Sequence, residues 1–415
     1  MNISASELAK ITGGELTGDH SLAVTGIMTD SRSSGAGHDV LFIALRGPNH
    51  DGHGFIGPLF NRGVRLFLVD TLPADIDLMT GAAFVKVEDT LEALHSLAGW
   101  RRSAFTGKVI AVTGSAGKTV VKEWLAETLG TVKSVIRSPR SYNSQVGVAL
   151  SLMNIDNRFD VAVIEAGISR PGEMERLARI IRPDTVVITN IGDAHGENFV
   201  SREAIATEKL SLAAGARMLI YSSDDELIKR ETSLRYSGIP ALTWSVSGDD
   251  ASLRVDISGR IGGGQVLRCT SEGSVFEVII PFADRASAEN AVSVIACSLA
   301  EGVPEKSIKG ALADIPAVAM RMEVKKGINS CTLIEDYYNS DPGSLSMALD
   351  FLRSHARGRT TLILSDFRQI GGNEERLYEG VAEAVRRAGI DRFIGIGEAL
   401  TRQKEKFPGG SVFYG

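Results

Sequence analysis

Short apolar runs alternate with segments of helical periodicity along most of the chain. The runs are rich in Val, Ile and Leu, which is typical of strands buried on both faces of a sheet. They occupy residues 41–45, 66–69, 84–87, 109–113, 161–166, 185–190, 218–221, 332–334, 361–364 and 393–396. Helical patterns occupy residues 119–129, 344–353 and 374–388, and a further one includes Ala288, Ala291, Val292 and Ile295. Strands that alternate with helices in this way predict an α/β protein with a doubly wound sheet.

The pattern divides into three regions. Residues 1–105 mix short strands and helices, residues 106–315 have the doubly wound pattern, and residues 316–415 form a second, smaller α/β unit. Alternating segments on both sides of Gly262-Gly263-Gly264 predict an antiparallel hairpin in the central region. Residues 411–415 have the pattern of a strand with nothing after it. We therefore expect the third domain to be incomplete and the natural chain to continue.

Composition and charge exclude several classes of protein. The 415 residues are 43% hydrophobic and 23% charged with a net charge of −6, values typical of a globular chain. The mild acidity and the lack of a basic run argue against nucleic-acid binding. Cys269, Cys297 and Cys331 form no CxxC motif, so we expect small buried hydrophobes in a reducing compartment. Because the sequence has neither a signal peptide nor an apolar run of ~18 residues, we expect a cytoplasmic protein without membrane insertion.

The sharpest local signal is the segment Thr113-Gly114-Ser115-Ala116-Gly117-Lys118-Thr119. It follows a buried strand and opens a helix, which is the context that a phosphate-binding loop requires. Its glycines let backbone N–H groups approach phosphate oxygens, and the helix N-terminus adds positive potential. Lys118 is expected to reach the β- and γ-phosphates, and the Thr119 hydroxyl to ligate Mg²⁺. The alternative is an ordinary glycine-rich turn with a surface lysine.

Three further residues could take part in phosphate chemistry. Glu165 ends a buried strand, where ligands bind in open α/β sheets, and could complete a Mg²⁺ shell or simply face solvent. His195 follows another strand and could donate to a metal or be an ordinary loop residue. Lys209 shares the apolar face of a helix with Ile205 and Leu212. An inward lysine is costly unless it is paired or modified, although a snorkelling side chain remains the alternative.

As a set, these residues resemble the Mur ligase family, the ATP-dependent amide-forming enzymes of peptidoglycan precursor synthesis. The resemblance extends over nearly the whole chain. It depends on residues 113–119, Tyr142-Asn143-Ser144-Gln145-Val146-Gly147, Glu165-Ala166-Gly167, Ala194-His195, Lys209, Asn290-Ala291, Arg321 and residues 336–342. Asp30-Ser31-Arg32, residues 51–55 and residues 335–342 are most similar to the branch that adds D-alanyl-D-alanine.

The resemblance implies three domains: an N-terminal UDP-binding α/β domain (1–105), a central P-loop ATPase-like doubly wound domain (106–315) and a C-terminal Rossmann-like domain (316–415). It implies ATP and Mg²⁺ as cofactors. The implied substrates are UDP-N-acetylmuramoyl-tripeptide and D-alanyl-D-alanine, joined through an acyl phosphate. The ending is similar to the ligase half of a ligase–alanine racemase fusion, so a covalently fused racemase domain is expected in the full-length protein.

The resemblance also implies roles for individual residues. The implied ATP-binding residues are Gly114, Ser115, Ala116, Gly117, Lys118, Thr119, Asn290, Arg321, Asp336, Tyr338 and Asn339. The implied metal ligands are Thr119, Glu165 and His195, and the implied catalytic residues are Lys118, Lys209 and His195. Lys209 is expected to be carbamoylated, which would make it an anionic member of the metal shell. Ser31, Arg32 and His53 are expected at the UDP end of the substrate and Asn143 at its peptide or uridine portion.

Two other kinds of function stay open from the sequence. One is a sibling ligase that adds a different amino acid to a UDP-muramoyl substrate, or glutamate to folate, although the UDP-type first region argues against folate. The other is a non-catalytic protein whose phosphate loop only senses nucleotide. The joint presence of Lys118, Glu165, His195 and Lys209 disfavours the second alternative.

Overall fold

The computed structural model describes residues 2–32, 37–47, 50–192, 198–248, 250–261, 264–318, 323–336, 342–356, 358–367 and 374–415.

The first region is a five-stranded sheet with helices packed on it. Its elements are β1 Ile3–Ser4, α1 Ala5–Thr12, β2 Glu15–Gly18, β3 Ala23–Val24, β4 Gly26–Met28, β5 Val40–Ile43, α2 Ile56–Asn61, β6 Leu66–Val69, β7 Ala83–Lys86 and α3 Thr90–Ser103. The strand order is β2-β7-β6-β5-β4, in which β4 to β7 are parallel and β2 is antiparallel to β7. α3 begins at Asp89, whose carboxylate accepts the N–H groups of Leu91 and Glu92 and so caps the helix.

The central region is built on a nine-stranded sheet. Its elements are β8 Lys108–Thr113, α4 Lys118–Leu129, β9 Val135–Arg137, α5 Gln145–Met153, β10 Val161–Glu165, α6 Glu173–Ile181, β11 Thr185–Ile188, α7 Arg202–Leu210, β12 Met218–Ser222, α8 Glu226–Tyr236, β13 Ala241–Ser245, β14 Leu253–Ile261, β15 Gly264–Ser271, β16 Ser274–Ile280, α9 Arg285–Ala300 and α10 Glu305–Ala313. The order is β16-β15-β14-β13-β12-β11-β8-β10-β9. The strands from β9 to β14 in this sheet are parallel, and β14, β15 and β16 form an antiparallel meander.

The position of β8 in the sheet fixes where a ligand can bind. β8, the first strand of this sheet in the chain, lies between β10 and β11. The strand order therefore reverses direction at β8, with β9 and β10 on one side and β11 to β16 on the other. The crevice at the carboxyl ends of the strands around such a switch point is where open α/β sheets bind ligands. The loop of residues 113–119 lies at that end of β8.

The third region has its own small sheet and its own core. Its elements are β17 Glu323–Lys326, β18 Thr332–Glu335, α11 Pro342–His355, β19 Thr361–Ser365, α12 Glu374–Ala388, β20 Arg392–Ile396, α13 Glu398–Arg402 and β21 Val412–Tyr414. β17 and β18 form an antiparallel hairpin, and β19, β20 and β21 form a parallel sheet. Tyr378 and Phe393 are buried in a hydrophobic cluster made of this region alone.

The two faces of β8 pack into different hydrophobic clusters. Val109 and Ala111 join the cluster that also contains Leu97 of α3, whereas Ile110 and Val112 join the cluster that contains α4 and α9 residues. The four consecutive apolar residues Val109–Val112 are therefore explained by burial on both faces of the strand. Because α3 belongs to the first region, the first region and the central sheet share one continuous core.

The sequence predictions of the α/β class and of a doubly wound central sheet are confirmed. The expected hairpin at residues 251–282 is present as the first two strands of the β14–β16 meander, although residues 262 and 263 lie outside the described part. The expectation for cysteines is right for Cys269 and Cys297, which are buried, and wrong for Cys331, which is exposed. Burial raises the pKa of the Cys269 thiol to about 12. The exact domain boundaries stay a prediction. In the described residues, no helix has both the length and the apolar character to cross a bilayer.

Candidate active site

The loop between β8 and α4 forms the floor of the candidate site. Gly114 and Gly117 have positive φ angles of 142° and 79°, a conformation that residues with a Cβ rarely adopt. A Cβ on Gly114 would collide with the Thr189 hydroxyl, and a Cβ on Gly117 would collide with the Asn290 side-chain amide. Conformation and space therefore both require glycine here. Asn290, the predicted adenine contact, lies directly against the loop.

The segment after β11 fixes the shape of this loop. The N–H groups of Ser115 and Ala116 donate to the carbonyl oxygen and to Oδ1 of Asn190, both at 2.9 Å. The Ser115 hydroxyl donates to the Gly192 carbonyl at 3.1 Å and accepts the Gly192 N–H at 2.8 Å. The N-terminus of α4 has no side-chain cap at Gly117. An uncapped helix N-terminus attracts anions, so the rigid loop presents α4 to a phosphate group.

Lys118 lies over the loop, and its predicted contact with the β- and γ-phosphates stays a prediction. Its Nζ donates to the carbonyl oxygens of Gly114 at 2.8 Å and Ser115 at 3.0 Å. The side chain therefore curls back over the same loop whose backbone would hold the phosphates. From this position the ammonium group could bind the negatively charged oxygens of a triphosphate.

Lys209 is a deeply buried cation at the site, with 1% of its surface exposed. Its Nζ donates to the Gly114 carbonyl at 3.0 Å. Ile205 of α7 and Leu212, two residues beyond the end of α7, are also buried, so the inward orientation predicted from spacing is confirmed and the snorkelling alternative is wrong. Burial, and secondly the charge of Lys118, hold the pKa of Lys209 well below its usual range. A neutral amine is the form that can react with CO₂, so the environment favours the predicted carbamoylation, which stays a prediction.

Glu165 is fully buried rather than exposed to solvent. Its Oε1 accepts hydrogen bonds from the Thr119 hydroxyl at 3.1 Å and from the Asn143 amide at 2.7 Å. The Thr119 hydroxyl is also 3.2 Å from the Ser141 hydroxyl. The structure therefore places Asn143, which was predicted to face the substrate, on the Glu165 carboxylate. The first turn of α4, which follows the phosphate loop, and the end of β10 are therefore joined through these side chains.

The chemistry of this cluster fits a magnesium ion. Glu165 Oε2 is buried and has no hydrogen-bond partner among the described residues. A buried carboxylate oxygen without a partner is costly, and such an oxygen usually has a ligand. Thr119 and Ser141 add hydroxyl oxygens, and Mg²⁺ prefers oxygen ligands. The predicted ligands Thr119 and Glu165 are thus brought together.

Sequence reasoning missed Lys122, a buried residue of α4. Lys122 has 0% of its surface exposed, and its Nζ lies 3.9 Å from Glu165 Oε2. A signal was present in the sequence, because Leu125 and Leu129 lie three and seven residues further on and are buried with it on one helix face. The same reasoning that singled out Lys209 therefore applies to Lys122.

A large cavity continues from the loop across the carboxyl ends of β12 and β13. Its volume is about 840 Å³. Thr189 and Asn190, which contact the phosphate loop, line one part of it, and Trp244, Arg285 and Glu289 line another. The cavity is large enough for a nucleoside, and pockets at this edge of an α/β sheet are usual cofactor sites.

The residues predicted at the UDP end lie in the first region, on another sheet. His53 Nδ1 is 2.7 Å from Asp51 Oδ1, and its Nε2 accepts the N–H of Asp70 at 3.2 Å. Arg32 forms an exposed ion pair with Asp30 at 2.7 Å, and the Ser31 carbonyl accepts from an arginine side chain. These contacts order the segment after β4 and the turn after β5, but they do not join the phosphate-loop cluster.

Some predicted residues fall outside the described part of the chain. They are His195, Arg321, Tyr338 and Asn339. Their roles stay predictions. Asp336 is described, and it lies half-buried directly after β18 in the third region.

Two family models match the chain. Residues 112–298 match the family model described as Mur ligase middle domain, and residues 320–407 match the one described as Mur ligase, glutamate ligase domain. The chain is 31% identical over 381 residues to the UDP-N-acetylmuramoyl-tripeptide–D-alanyl-D-alanine ligase of Bacillus subtilis. That match covers 90% of this chain and 80% of the relative.

Solved structures share the fold. The chain is similar to MurF from Acinetobacter baumannii with a TM-score of 0.87 and 23% identity, covering 100% of this chain and 90% of that one. It is also similar to MurF ligase from Thermotoga maritima in complex with ADP, with a TM-score of 0.79 and 22% identity, covering 94% and 88%. None of these names includes a racemase, and the predicted fusion stays a prediction.

Proposed function

Because the chain belongs to the Mur ligase family, we propose that it is an ATP-dependent ligase that joins D-alanyl-D-alanine to UDP-N-acetylmuramoyl-tripeptide in peptidoglycan precursor synthesis. The name of the Bacillus subtilis relative supports this choice of substrates. The ADP in the Thermotoga maritima neighbour supports ATP as the phosphoryl donor.

The observation that best supports the proposal is the buried Glu165 carboxylate beside the phosphate loop, one of whose oxygens accepts no hydrogen bond from the described residues. Glu165 Oε2 lacks a hydrogen-bond partner among the described residues, while its Oε1 is bonded to Thr119 of the loop helix. A sensor of nucleotide needs only the loop. A carboxylate kept buried beside the loop helix suits a site that must neutralise charge during phosphoryl transfer.

The first step transfers the γ-phosphate of ATP to the peptide carboxylate. A carboxylate oxygen attacks the γ-phosphorus, the bond to the β-phosphate oxygen breaks, and ADP leaves. Little covalent help from the protein is needed, because positioning and charge stabilisation supply most of the acceleration in such transfers. Lys118 and the α4 N-terminus stabilise the negative charge on the phosphate oxygens.

The second step forms the amide. The amine of D-alanyl-D-alanine attacks the carbonyl carbon of the acyl phosphate, the nitrogen loses a proton, and the carbon–oxygen bond to phosphate breaks. The departing phosphate carries the charge that Lys118 already stabilises. The protein must therefore hold two substrates close together and keep water from the acyl phosphate.

Thr119 and Glu165 are the described residues that would hold Mg²⁺, with Ser141 beside them. Bound there, Mg²⁺ supplies positive charge to the phosphate oxygens. Lys209, carbamoylated, would add an anionic group beside Gly114 of the loop. The cavity of about 840 Å³ would take the nucleoside, and Asn290 lies against Gly117 of the loop.

The test is phosphate release from ATP under matched substrate conditions. With UDP-N-acetylmuramoyl-tripeptide and D-alanyl-D-alanine together, we expect phosphate release in equal amount to a product that mass spectrometry identifies as the pentapeptide. Omitting either substrate should abolish sustained release. Release that needs neither substrate, or that needs a different amino acid, would contradict the proposal. If the protein does not bind ATP, every ATP-dependent reaction of the Mur ligase family is excluded for it.

A further inference from the structure

We propose that Lys122 is a positioning residue of the phosphoryl-transfer site, whose buried ammonium group fixes the Glu165 carboxylate and the turn of residues 138–143 where nucleotide and Mg²⁺ require them. The inference deepens the proposed function and depends on it. It concerns a residue four positions beyond Lys118, outside the phosphate-loop motif.

The Lys122 ammonium group is surrounded by oxygen atoms. Its Nζ donates to the Ser138 carbonyl at 2.8 Å and to the Arg140 carbonyl. It pairs with Glu123 Oε1 at 2.8 Å and lies 3.9 Å from Glu165 Oε2. Lys122 has 0% of its surface exposed, so these contacts must offset the several kcal/mol that desolvation of an ammonium group costs.

The turn that Lys122 holds supplies the polar contacts of the site. The Ser138 hydroxyl accepts the backbone N–H of Glu165 at 3.1 Å. Ser141 reaches the Thr119 hydroxyl, and Asn143 donates to Glu165 Oε1. Lys122 therefore connects α4 to residues 138–143 through two carbonyl groups. Side chains of that turn then orient Glu165 and Thr119.

The distance to Glu165 points to positioning by charge. At 3.9 Å the ammonium group is too far for a hydrogen bond but close enough to stabilise the buried carboxylate. A direct hydrogen bond would occupy Oε2. The longer contact leaves the lone pairs of Oε2 free, which is what a metal ligand needs. The ammonium group lies closer to Glu123, at 2.8 Å, than to Glu165.

The chain contains a matched ion pair away from the site. Lys133 donates to the Glu301 carbonyl at 3.0 Å and pairs with Glu301 Oε2 at 3.3 Å, and the Glu301 side chain is 2% exposed. Like Lys122, Lys133 combines a backbone carbonyl with a buried glutamate. Glu301 accepts a hydrogen bond from the Thr185 hydroxyl at the start of β11, so it lies at the opposite end of the strands from the phosphate loop. Lys133→Met therefore serves as a control for the loss of a partly buried ion pair.

The experiment measures ADP binding by calorimetry with and without Mg²⁺, together with thermal unfolding, for the full chain. In the parent protein we expect Mg²⁺ to tighten ADP binding. In Lys122→Met we expect this tightening to fall about tenfold, as happens when residues that orient metal ligands are lost. Lys133→Met should lower the unfolding temperature and keep the parent response to Mg²⁺. If Lys122→Met does not fold, Lys122→Gln takes the same measurement with the same expected direction.

The outcomes separate this inference from the proposed function. If Lys122→Met keeps the parent response to Mg²⁺ and loses only stability, Lys122 is merely structural and the inference is wrong. If the response becomes stronger, the ammonium group only competes with the metal, and the inference is also wrong. If the parent protein binds no ADP, the proposed function itself fails.

Discussion

Lys118 and Lys209 donate hydrogen bonds to the same atom, the carbonyl oxygen of Gly114, at 2.8 and 3.0 Å. Two ammonium groups on one oxygen repel each other, and burial adds to the cost for Lys209. The lowered pKa of Lys209 follows from both causes, with burial the larger. The site therefore separates its two lysines into a cation for the phosphates, Lys118, and an amine available for modification, Lys209.

Lys118→Ala removes the cation nearest to the transferred phosphate. We expect kcat to fall at least about 100-fold, the usual effect of losing one preorganised charge-stabilising group. Phosphate release with both substrates is the measurement, and unchanged thermal unfolding shows that the variant is folded. A kcat within a few-fold of the parent value would refute the role of Lys118.

Lys209→Ala removes the amine that carbamoylation needs. The variant should be inactive and should regain part of its activity when a short carboxylic acid is added at high concentration, because the acid replaces the lost anionic group. Lys118→Ala is the control, since an added anion cannot replace a cation. The same partial recovery in both variants, or none in Lys209→Ala, would count against carbamoylation.

Gly117→Ala tests the contact between the phosphate loop and Asn290. The variant combines a positive φ of 79° with a collision against the Asn290 amide, so we expect ADP binding to weaken strongly. Gly172→Ala is a matched control: its φ is 82°, it also precedes a helix, and nothing lies within 4 Å of the added Cβ. That variant should lose about 1 kcal/mol of stability and keep ADP binding. Equal losses of ADP affinity in the two variants would show that backbone strain, and not the collision with Asn290, weakens ADP binding.

Asp70→Asn gives a pH-dependent test of the contacts around His53. Hydrogen bonds from Arg46 lower the pKa of Asp70 to about 2 in the folded protein. A lowered pKa stabilises the fold above the ordinary aspartate pKa and loses this effect as the pH falls through about 2. The variant should thus be less stable than the parent by about 2 kcal/mol near pH 6, and the difference should shrink as the pH falls below about 4 and vanish below about 2.

Denaturant unfolding at several pH values measures this difference. Asp156→Asn is a useful comparison, because Asp156 also has its pKa lowered to about 2 by an arginine, Arg158, but the pair is exposed. Its effect should be smaller, since solvent screens exposed ion pairs. A difference for Asp70→Asn that does not change with pH would contradict the account.

The elements of the fold were predictable where one physical signal dominated. Continuous apolar runs predicted β8, β10 and β11, because burial on both faces leaves no polar positions. Sequence spacing also predicted the phosphate loop with its glycines and the inward orientation of Lys209. Each of these depends on residues close together in the chain.

Other parts of the site depend on the contact of distant segments, which spacing cannot show. Asn143 was expected at the substrate, and its position on Glu165 follows from how the turn after β9 packs against the end of β10. The burial of Glu165 likewise depends on α4 and this turn together. The spacing of Leu125 and Leu129 places Lys122 on the buried face of α4, but the carbonyl oxygens that stabilise its charge belong to Ser138 and Arg140, 16 and 18 residues further along the chain.

Isotope transfer tests the central claim most directly. If the tripeptide carboxylate is labelled with ¹⁸O and the reaction is run with ATP and D-alanyl-D-alanine, an acyl phosphate requires one labelled oxygen to leave with phosphate. We predict that the released phosphate contains one ¹⁸O atom per turnover, and that the new amide keeps the other. Released phosphate without label would contradict the account, because the γ-phosphate would not have passed to the carboxylate.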